Sequence, residues 1–120
     1  MLETRDIPQS NIVEFVVDGH IDRADFDAVI SILNANIAEH GSVRLLEEVR
    51  AFGLTDPLTL WEDLKWMFSH FKDIERTAVV SDYGWLEGFI QMMGPMLSMP
   101  VRYFTVADID AARAWLASEG

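Results

Sequence analysis

Residues 83–104 restrict the fold of this chain more than any other segment, because they place an apolar helix-like run between two strand-like flanks. Within YGWLEGFIQMMGPMLSMPVRYF, Glu87 is the only charge before Arg102. A helix that is apolar almost all the way round is unstable when surrounded by water. It must therefore be buried in protein, cover a cavity, bind a partner or touch a membrane.

The size and composition of the chain favour a single domain over residues 1–120. A hydrophobic fraction of 50% is ample for one continuous core in 120 residues. The 20 acidic and 9 basic side chains give a formal charge of −11, which opposes binding to nucleic acid and to anionic headgroups. The absence of cysteine excludes disulfides, thiolate catalysis and cysteine-based metal sites. We expect no nucleic-acid partner and no cofactor.

The N-terminal sequence MLETRDIPQS lacks the basic and then apolar pattern of a signal peptide. No apolar run reaches the roughly 18 residues that a membrane-spanning helix needs. These two features predict a cytoplasmic protein whose contact with a membrane is peripheral at most.

The first 50 residues predict a hairpin, a helix and a strand. Residues 2–7 and 11–17 are expected to pair as an antiparallel hairpin. A helix should then begin near Asp22 and Asp25, because negative charges are favourable at the start of a helix. It should end at His40, before Gly41. Its apolar positions recur at steps of three and four residues and indicate one buried face: Phe26, Val29, Ile30, Leu33 and Ile37. Residues 43–49 read as a strand.

The second half of the chain alternates helices and strands. After a predicted loop, AFGLTDP, the expected elements are a helix over 57–71, a strand over 76–81, a helix over 84–97, a strand over 101–104 and a helix over 107–117 that is capped near Thr105 or Asp108. Repeated strand-helix-strand units imply right-handed crossovers. The predicted fold is α/β, a mostly parallel mixed sheet of about five strands with an N-terminal antiparallel hairpin and about four flanking helices.

Several segments carry a resemblance to a known family. They are GHID at 19–22, HGSVRLL at 40–46, LWEDLK at 60–65, HFKDIERTAVVSD at 70–82, WL at 85–86, VRYF at 101–104 and AWL at 114–116. In this order and spacing they resemble the SpoIIAA-like family of the STAS and CRAL-TRIO related fold. The resemblance implies a small sheet with helices that can separate to expose an apolar groove, and it suggests binding of a lipid-like ligand or loose membrane contact.

The regulatory motif of some STAS proteins is missing. Anti-sigma-factor antagonists of that group carry a phosphorylatable serine in an Asp-Ser-Ser-Gly type turn, whereas residues 51–56 here read AFGLTD. Thr55 or Thr59 can in principle accept a phosphate, but a hydroxyl near a helix start is more commonly a cap.

Two predicted helices carry the residues of a candidate ligand-binding groove. They are Trp61, Leu64, Met67 and Phe68 on one helix, and Trp85, Leu86, Phe89, Ile90, Met93 and Met96 on the other. Methionine side chains adapt to ligands of varied shape, although the same residues can simply fill gaps between helix and sheet. Gly94-Pro95 should kink or end its helix. The following lid-like segment would offer Leu97 and Met99 for lid or membrane contacts.

The remaining chemistry-bearing residues match no catalytic or metal motif. His20, His40 and His70 are 20 and 30 residues apart, and we interpret them as turn, cap or surface residues. The acidic residues of the first helical turn are explained by their favourable interaction with the positive end of the helix dipole. Neither a catalytic residue nor a metal site is predicted.

The adjacent acids Glu47 and Glu48 lie within a predicted strand, so their side chains must point to opposite faces of the sheet. One of them should face a helix layer or an edge. Arg44, Arg50 or Arg76 is expected to neutralise the covered one, and a catalytic acid is the alternative.

The sequence therefore predicts a non-enzymatic domain that binds a small apolar or lipid-like ligand between two mobile helices. The alternative is a protein-interaction or regulatory module of the STAS type, in which the same surface binds a protein partner or a second copy of the chain. Transient membrane contact through the lid is a third hypothesis.

Overall fold

The computed structural model describes residues 2–7, 10–19, 23–52, 72–96 and 99–118. The strands are β1 (Leu2–Asp6), β2 (Ile12–Gly19), β3 (Val43–Phe52), β4 (Ile74–Ser81) and β5 (Val101–Phe104). The α-helices are α1 (Arg23–His40), α2 (Gly84–Met93) and α3 (Ile109–Ala117), with short 3-10 turns at Gly94–Met96 and Val106–Asp108. The predicted helix over 57–71 lies outside the described residues.

All five strands form one mixed sheet in the order β1-β2-β3-β4-β5. β1 runs antiparallel to β2, while β2, β3, β4 and β5 are parallel to one another. The predicted α/β class, the N-terminal hairpin and the mostly parallel sheet are confirmed.

The sheet has two faces with different helical cover. α1 packs on what we call the front face, against Val13 and Phe15 of β2 and Val43 and Leu45 of β3. Leu86 of α2 packs on the same face against Val49 and Val79. Ala112 and Leu116 of α3 pack on the opposite, back face against Leu46, Ala78 and Val80. Hydrophobic burial on both faces explains the continuous apolar run of β4.

α1 matches its prediction because periodicity and a stop signal agree. Val29 and Leu33, one turn apart, are buried, and Ile30 and Ile37 pack beside them. Gly41 adopts φ +83, and its N–H donates to the carbonyl of Ile37 at 2.7 Å. A left-handed residue at this position ends a helix, and glycine adopts it without steric cost.

Several element ends differ from the sequence prediction. β3 includes Ala51 and Phe52, which were predicted as loop, because they pair with Asp18 and Gly19 beyond an irregularity in β2. The predicted 84–97 helix changes to a 3-10 turn at Gly94. This change is expected because the next residue, Pro95, has no N–H to donate to the preceding turn.

The turn before α3 also differs from its prediction. Neither Thr105 nor Asp108 caps a helix through its side chain. The Thr105 hydroxyl instead donates to the Asp108 carboxylate at 3.2 Å, and the Val106 N–H donates to Asp82 Oδ1 at 3.3 Å. The start of this turn is therefore attached to the loop that follows β4.

Candidate ligand-binding face

The most unusual side chain of the front face is Glu47, at the middle of the central strand. Its register partners are Phe15 on β2 and Val79 on β4. Leu45 and Val49 flank it two residues away along β3, on the same face. These four neighbours are at most 7% exposed. Glu47 therefore places a carboxyl group between the cluster under α1 and the cluster under α2.

The surroundings of Glu47 favour its protonated form. Burial raises the pKa of this carboxyl to about 7. It makes no hydrogen bond or ion pair with any residue that the structure describes. The residue as a whole is partly buried. An uncompensated carboxylate in apolar surroundings is costly, and this cost is the cause of the raised pKa.

The carboxylates of the back face have a different environment. Glu48 accepts a hydrogen bond from Arg50 Nε at 2.8 Å. Glu14, which is 3% exposed, accepts two from Arg113 of α3, at 2.9 and 3.1 Å. The predicted neutralisation by arginine is therefore correct for Glu48, through Arg50, but does not extend to Glu47.

The arginines of the described strands share the back face of the sheet. They are Arg5, Arg44, Arg50, Arg76 and Arg102, which alternate along their strands with front-face residues. Arg44 donates to the carbonyls of Leu116 and Ser118, and Arg76 Nη1 donates to the carbonyl of Trp115 at 2.8 Å. These contacts place positive charge at the negative end of the α3 dipole. Among the described strand residues, none supplies a cation to the front face.

Helix α2 adds an apolar flank beside Glu47. Leu86 and Ile90 pack on the sheet with Val49 and Val79, the neighbours of Glu47. Trp85, Phe89 and Met92 follow one another at helical spacing on an adjoining flank, which we call the α2 stripe. Trp85 is 43% exposed and Met92 is 64% exposed. The Trp85 and Phe89 rings meet edge to face with centroids 6.1 Å apart.

The direction of the α2 stripe follows from the opposite flank of the helix. Burial, followed by the charges of Glu87 and Asp82, raises the pKa of Tyr103 on the edge strand β5. Glu87 therefore lies on the side of α2 that faces β5. Trp85 is about 200° away from Glu87 around the helix. The stripe therefore lies on the flank of α2 that points away from β5.

The start of α2 is held to the sheet by polar contacts. The Tyr103 hydroxyl donates to the Ser81 carbonyl at 2.5 Å. The Ser81 hydroxyl accepts the Tyr83 N–H at 3.1 Å. These bonds fix the turn that precedes α2 and, with it, the position of Trp85.

The structure brings together part of the predicted groove. Leu86 and Ile90 lie against the sheet, and Trp85 and Phe89 lie in the α2 stripe. The backbones of Met93 and Met96 belong to α2 and the following 3-10 turn. Five other predicted residues are outside the described part of the chain: Trp61, Leu64, Met67, Phe68 and Leu97.

Met99, predicted as a lid or membrane contact, lies in the core. It is 6% exposed and belongs to the cluster under α1. The Thr77 hydroxyl lies 3.5 Å from its sulfur. A contact between Met99 and a membrane would require this side chain to leave the core.

The other candidate residues from the sequence form no second candidate site within the described part of the chain. No group of three or more His, Cys, Asp or Glu side chains able to hold a metal ion occurs in the described ranges. His40 lies 3.8 Å from the carboxylate of Glu39 at the end of α1. His20, His70, Asp22, Thr55 and Thr59 lie outside those ranges.

These features define a small α/β domain with an antiparallel hairpin leading into a parallel sheet and an apolar front face. A family model described as SpoIIAA-like matches residues 12–117, and the chain belongs to this family. No curated protein matches the chain. No helix in the described part of the chain is long and apolar enough to cross a membrane.

A solved structure supports the fold. An uncharacterised protein of the DUF3478 family with a SpoIIAA-like fold, from Shewanella loihica PV-4, superposes with a TM-score of 0.70 at 18% sequence identity. The match covers 98% of this chain and 93% of that chain. At this identity the similarity concerns the fold.

Proposed function

We propose that this protein is a non-enzymatic binding domain for a small apolar or amphipathic ligand, held on the front face between the α2 stripe and the centre of the sheet. The observation that supports this most is the placement of Trp85, Phe89 and Met92. Together they form an aromatic and thioether surface on a flank of α2, beside the buried cluster of Leu86, Val49 and Val79 and not within it.

The energetics favour such a ligand. Each methylene group that leaves water contributes about 0.8 kcal/mol before the costs of association. A chain of about ten carbons therefore contributes about 8 kcal/mol, from which the costs of association are subtracted. Methionine and aromatic side chains suit a ligand of this kind because they offer large, polarizable contacts.

The surroundings of Glu47 argue for binding over catalysis. Its four neighbours on the sheet, Phe15, Leu45, Val49 and Val79, supply neither a nucleophile nor a proton acceptor. General acid-base catalysis needs partner groups within hydrogen-bond reach. A lone carboxyl in apolar surroundings is better suited to orienting one polar end of a bound molecule.

Native mass spectrometry of the purified protein tests this proposal, with decanol as the added probe. We expect one decanol per chain on the wild type, as well as any co-purified apolar molecule released on denaturation. Phe89→Asp places a charge in the α2 stripe and should abolish binding. Gln91→Asp adds the same charge to an exposed position on the opposite flank of the helix and should retain binding. Binding that is absent from the wild type, or unchanged in Phe89→Asp, would contradict the proposal.

A second function is favoured by the exposure of Met92. At 64% it offers an apolar contact that a protein partner or a second copy of this chain can cover. Size-exclusion chromatography with light scattering separates the two functions. A concentration-dependent dimer that Met92→Asp dissociates would support the interaction module, and a monomer at every concentration would exclude self-association.

A further inference from the structure

Glu47 differs from the two buried carboxylates with which it can be compared most directly. Glu14 and Glu48, on β2 and β3, each have an arginine within 3 Å. Glu47 lies among Phe15, Val79 and two further apolar residues of its own strand, with no described cation beside it. A valine or leucine at this position would join the two front-face clusters into one. The carboxyl therefore lowers stability, and a role in binding would account for it.

The charge distribution favours a positively charged ligand group beside Glu47. The chain carries a formal charge of −11, which repels anions and attracts cations. The strand arginines face the opposite side of the sheet, so they do not offset this charge at the front face. An anionic head group would meet a second negative charge there. A protonated amine would instead provide an ion pair that none of the described residues provides for Glu47.

The α2 stripe suits the same ligand. Glu47 adjoins Val49 and Val79, and both of these pack against Leu86 of α2. The aromatic rings of Trp85 and Phe89 lie on the adjoining flank of that helix. Aromatic faces attract ammonium groups as well as hydrocarbon.

We propose that the ligand of this face is a cationic amphiphile, an apolar chain or ring that ends in a protonated amine, and that the Glu47 carboxylate anchors the amine. This inference rests on the proposed function, and it adds the class of ligand and the residue that recognises its polar end. The apolar part provides affinity along the α2 stripe, and the amine provides specificity.

Three ten-carbon probes with different head groups test the inference: decylamine, decanol and decanoate. Their binding to the wild type is measured by calorimetry at a slightly alkaline pH, with one site per chain as the criterion for specific binding. Decylamine should bind at least tenfold more tightly than decanol, because its ammonium group can form a charge-assisted hydrogen bond with Glu47. Decanoate should bind most weakly, because its charge repels that of Glu47.

Two variants identify the residue responsible. Glu47→Gln keeps the shape of the side chain and should reduce decylamine binding to the level of decanol, with decanol binding changed by less than about twofold. Glu48→Gln removes the same charge from the back face of the same strand and should leave the preference for the amine intact. Non-specific attraction of amines to an acidic protein would weaken equally in both variants.

The possible failures are distinguishable. If decanol binds but decylamine has no advantage, or if Glu47→Gln keeps that advantage, the anchor is wrong while the binding face stands. If decanoate binds most tightly, the ligand is an anion and the cationic class is overturned. If none of the three probes binds, the proposed function fails, and this inference fails with it.

Discussion

Buried carboxyl groups have different surroundings on the two faces of the sheet. On the back face, arginines hold Glu14 and Glu48 in charge-assisted hydrogen bonds. On the front face, the described neighbours of Glu47 on the sheet are apolar, and burial raises its pKa to about 7. Two adjacent residues of one strand, Glu47 and Glu48, therefore have opposite consequences. One forms an ion pair that neutralises its charge, and the other keeps a proton near neutral pH.

The pH dependence of stability should reveal Glu47. Burial raises its pKa from the ordinary value of 4.5 to about 7 in the folded state, so between these pH values the folded state keeps a proton that the unfolded state releases. The resulting stability is complete below about pH 4.5 and is lost as the pH rises through about 7. Glu47→Gln cannot ionise. It should match the wild type near pH 4.5 and melt roughly 5–10 °C higher near pH 8, corresponding to on the order of 2 kcal/mol.

Thermal melts of both proteins across this pH range make the measurement. Glu48→Gln serves as the control, because it loses an ion pair with Arg50 and should gain no stability at alkaline pH. A constant difference in Tm between Glu47→Gln and the wild type at every pH would show that Glu47 does not titrate as described.

At the scale of elements, α3 is joined to the back face by charge as well as by apolar packing. Arg113 donates to both carboxylate oxygens of Glu14, and this hydrogen bond raises the pKa of Arg113. At the C-terminal end of the helix, Arg44 and Arg76 donate to its last carbonyls. The same helix buries Ala112 and Leu116. Ion pairing and hydrogen bonds thus attach the middle and the C-terminal end of α3 to the sheet.

Removing Arg113 should cost more than an ordinary surface substitution. Arg113→Met leaves the Glu14 carboxylate buried without a cation, and we expect a loss of about 2–4 kcal/mol in the free energy of unfolding. The partial exposure of Arg113 keeps this below the cost in a fully buried pair. The double variant Glu14→Val/Arg113→Met removes both charges and should recover most of the loss. Urea denaturation measures the free energies of unfolding. An Arg113→Met variant within about 0.5 kcal/mol of the wild type would refute a stabilising role for the Arg113–Glu14 ion pair.

Two glycines should respond in opposite ways to alanine. Gly88 lies inside α2 with open space around its missing Cβ, so Gly88→Ala should stabilise by about 0.5–1 kcal/mol through helix propensity. Gly41 has the same open space but a φ of +83, so Gly41→Ala should destabilise by about 1 kcal/mol. Chemical denaturation of both variants checks the signs. A gain in stability from Gly41→Ala would contradict the left-handed helix end.

The elements were predictable where local signals agree. α1 combines apolar periodicity with Gly41, and its predicted end at His40 is confirmed. The extension of β3 through Phe52 was not predictable, because it depends on pairing with Gly19 after an irregularity in β2. The hydrogen-bonding partner, and not the local sequence AFG, decides where this strand ends.

The candidate site was predictable only in part. The alternation of a strand shows that Glu47 and Glu48 face opposite sides, but the positions of Arg50 and of the helices decide which one lacks a cation. The apolar character of residues 84–97 leaves burial, a cavity, a partner or a membrane as alternatives. The structure packs Leu86 and Ile90 on the sheet and leaves Trp85 43% exposed. Which flank of such a helix is covered depends on the crossover and not on composition.

At the scale of the whole molecule, the two faces of the sheet carry different kinds of side chain. The back face carries the strand arginines and α3, and its polar contacts serve stability. The front face carries α1, α2 and a carboxyl between two apolar clusters. Under the proposed function, an amphipathic molecule binds on the front face while the back face maintains the fold.

The most direct test of this division is amide chemical-shift mapping by NMR during titration of the isotope-labelled protein with decylamine. The account predicts saturable shifts around Glu47, at Val49 and Val79, and along α2, with the amides of α3 unaffected. Shifts centred on α3, or spread evenly over the surface without saturation, would contradict a binding face between the α2 stripe and the centre of the sheet.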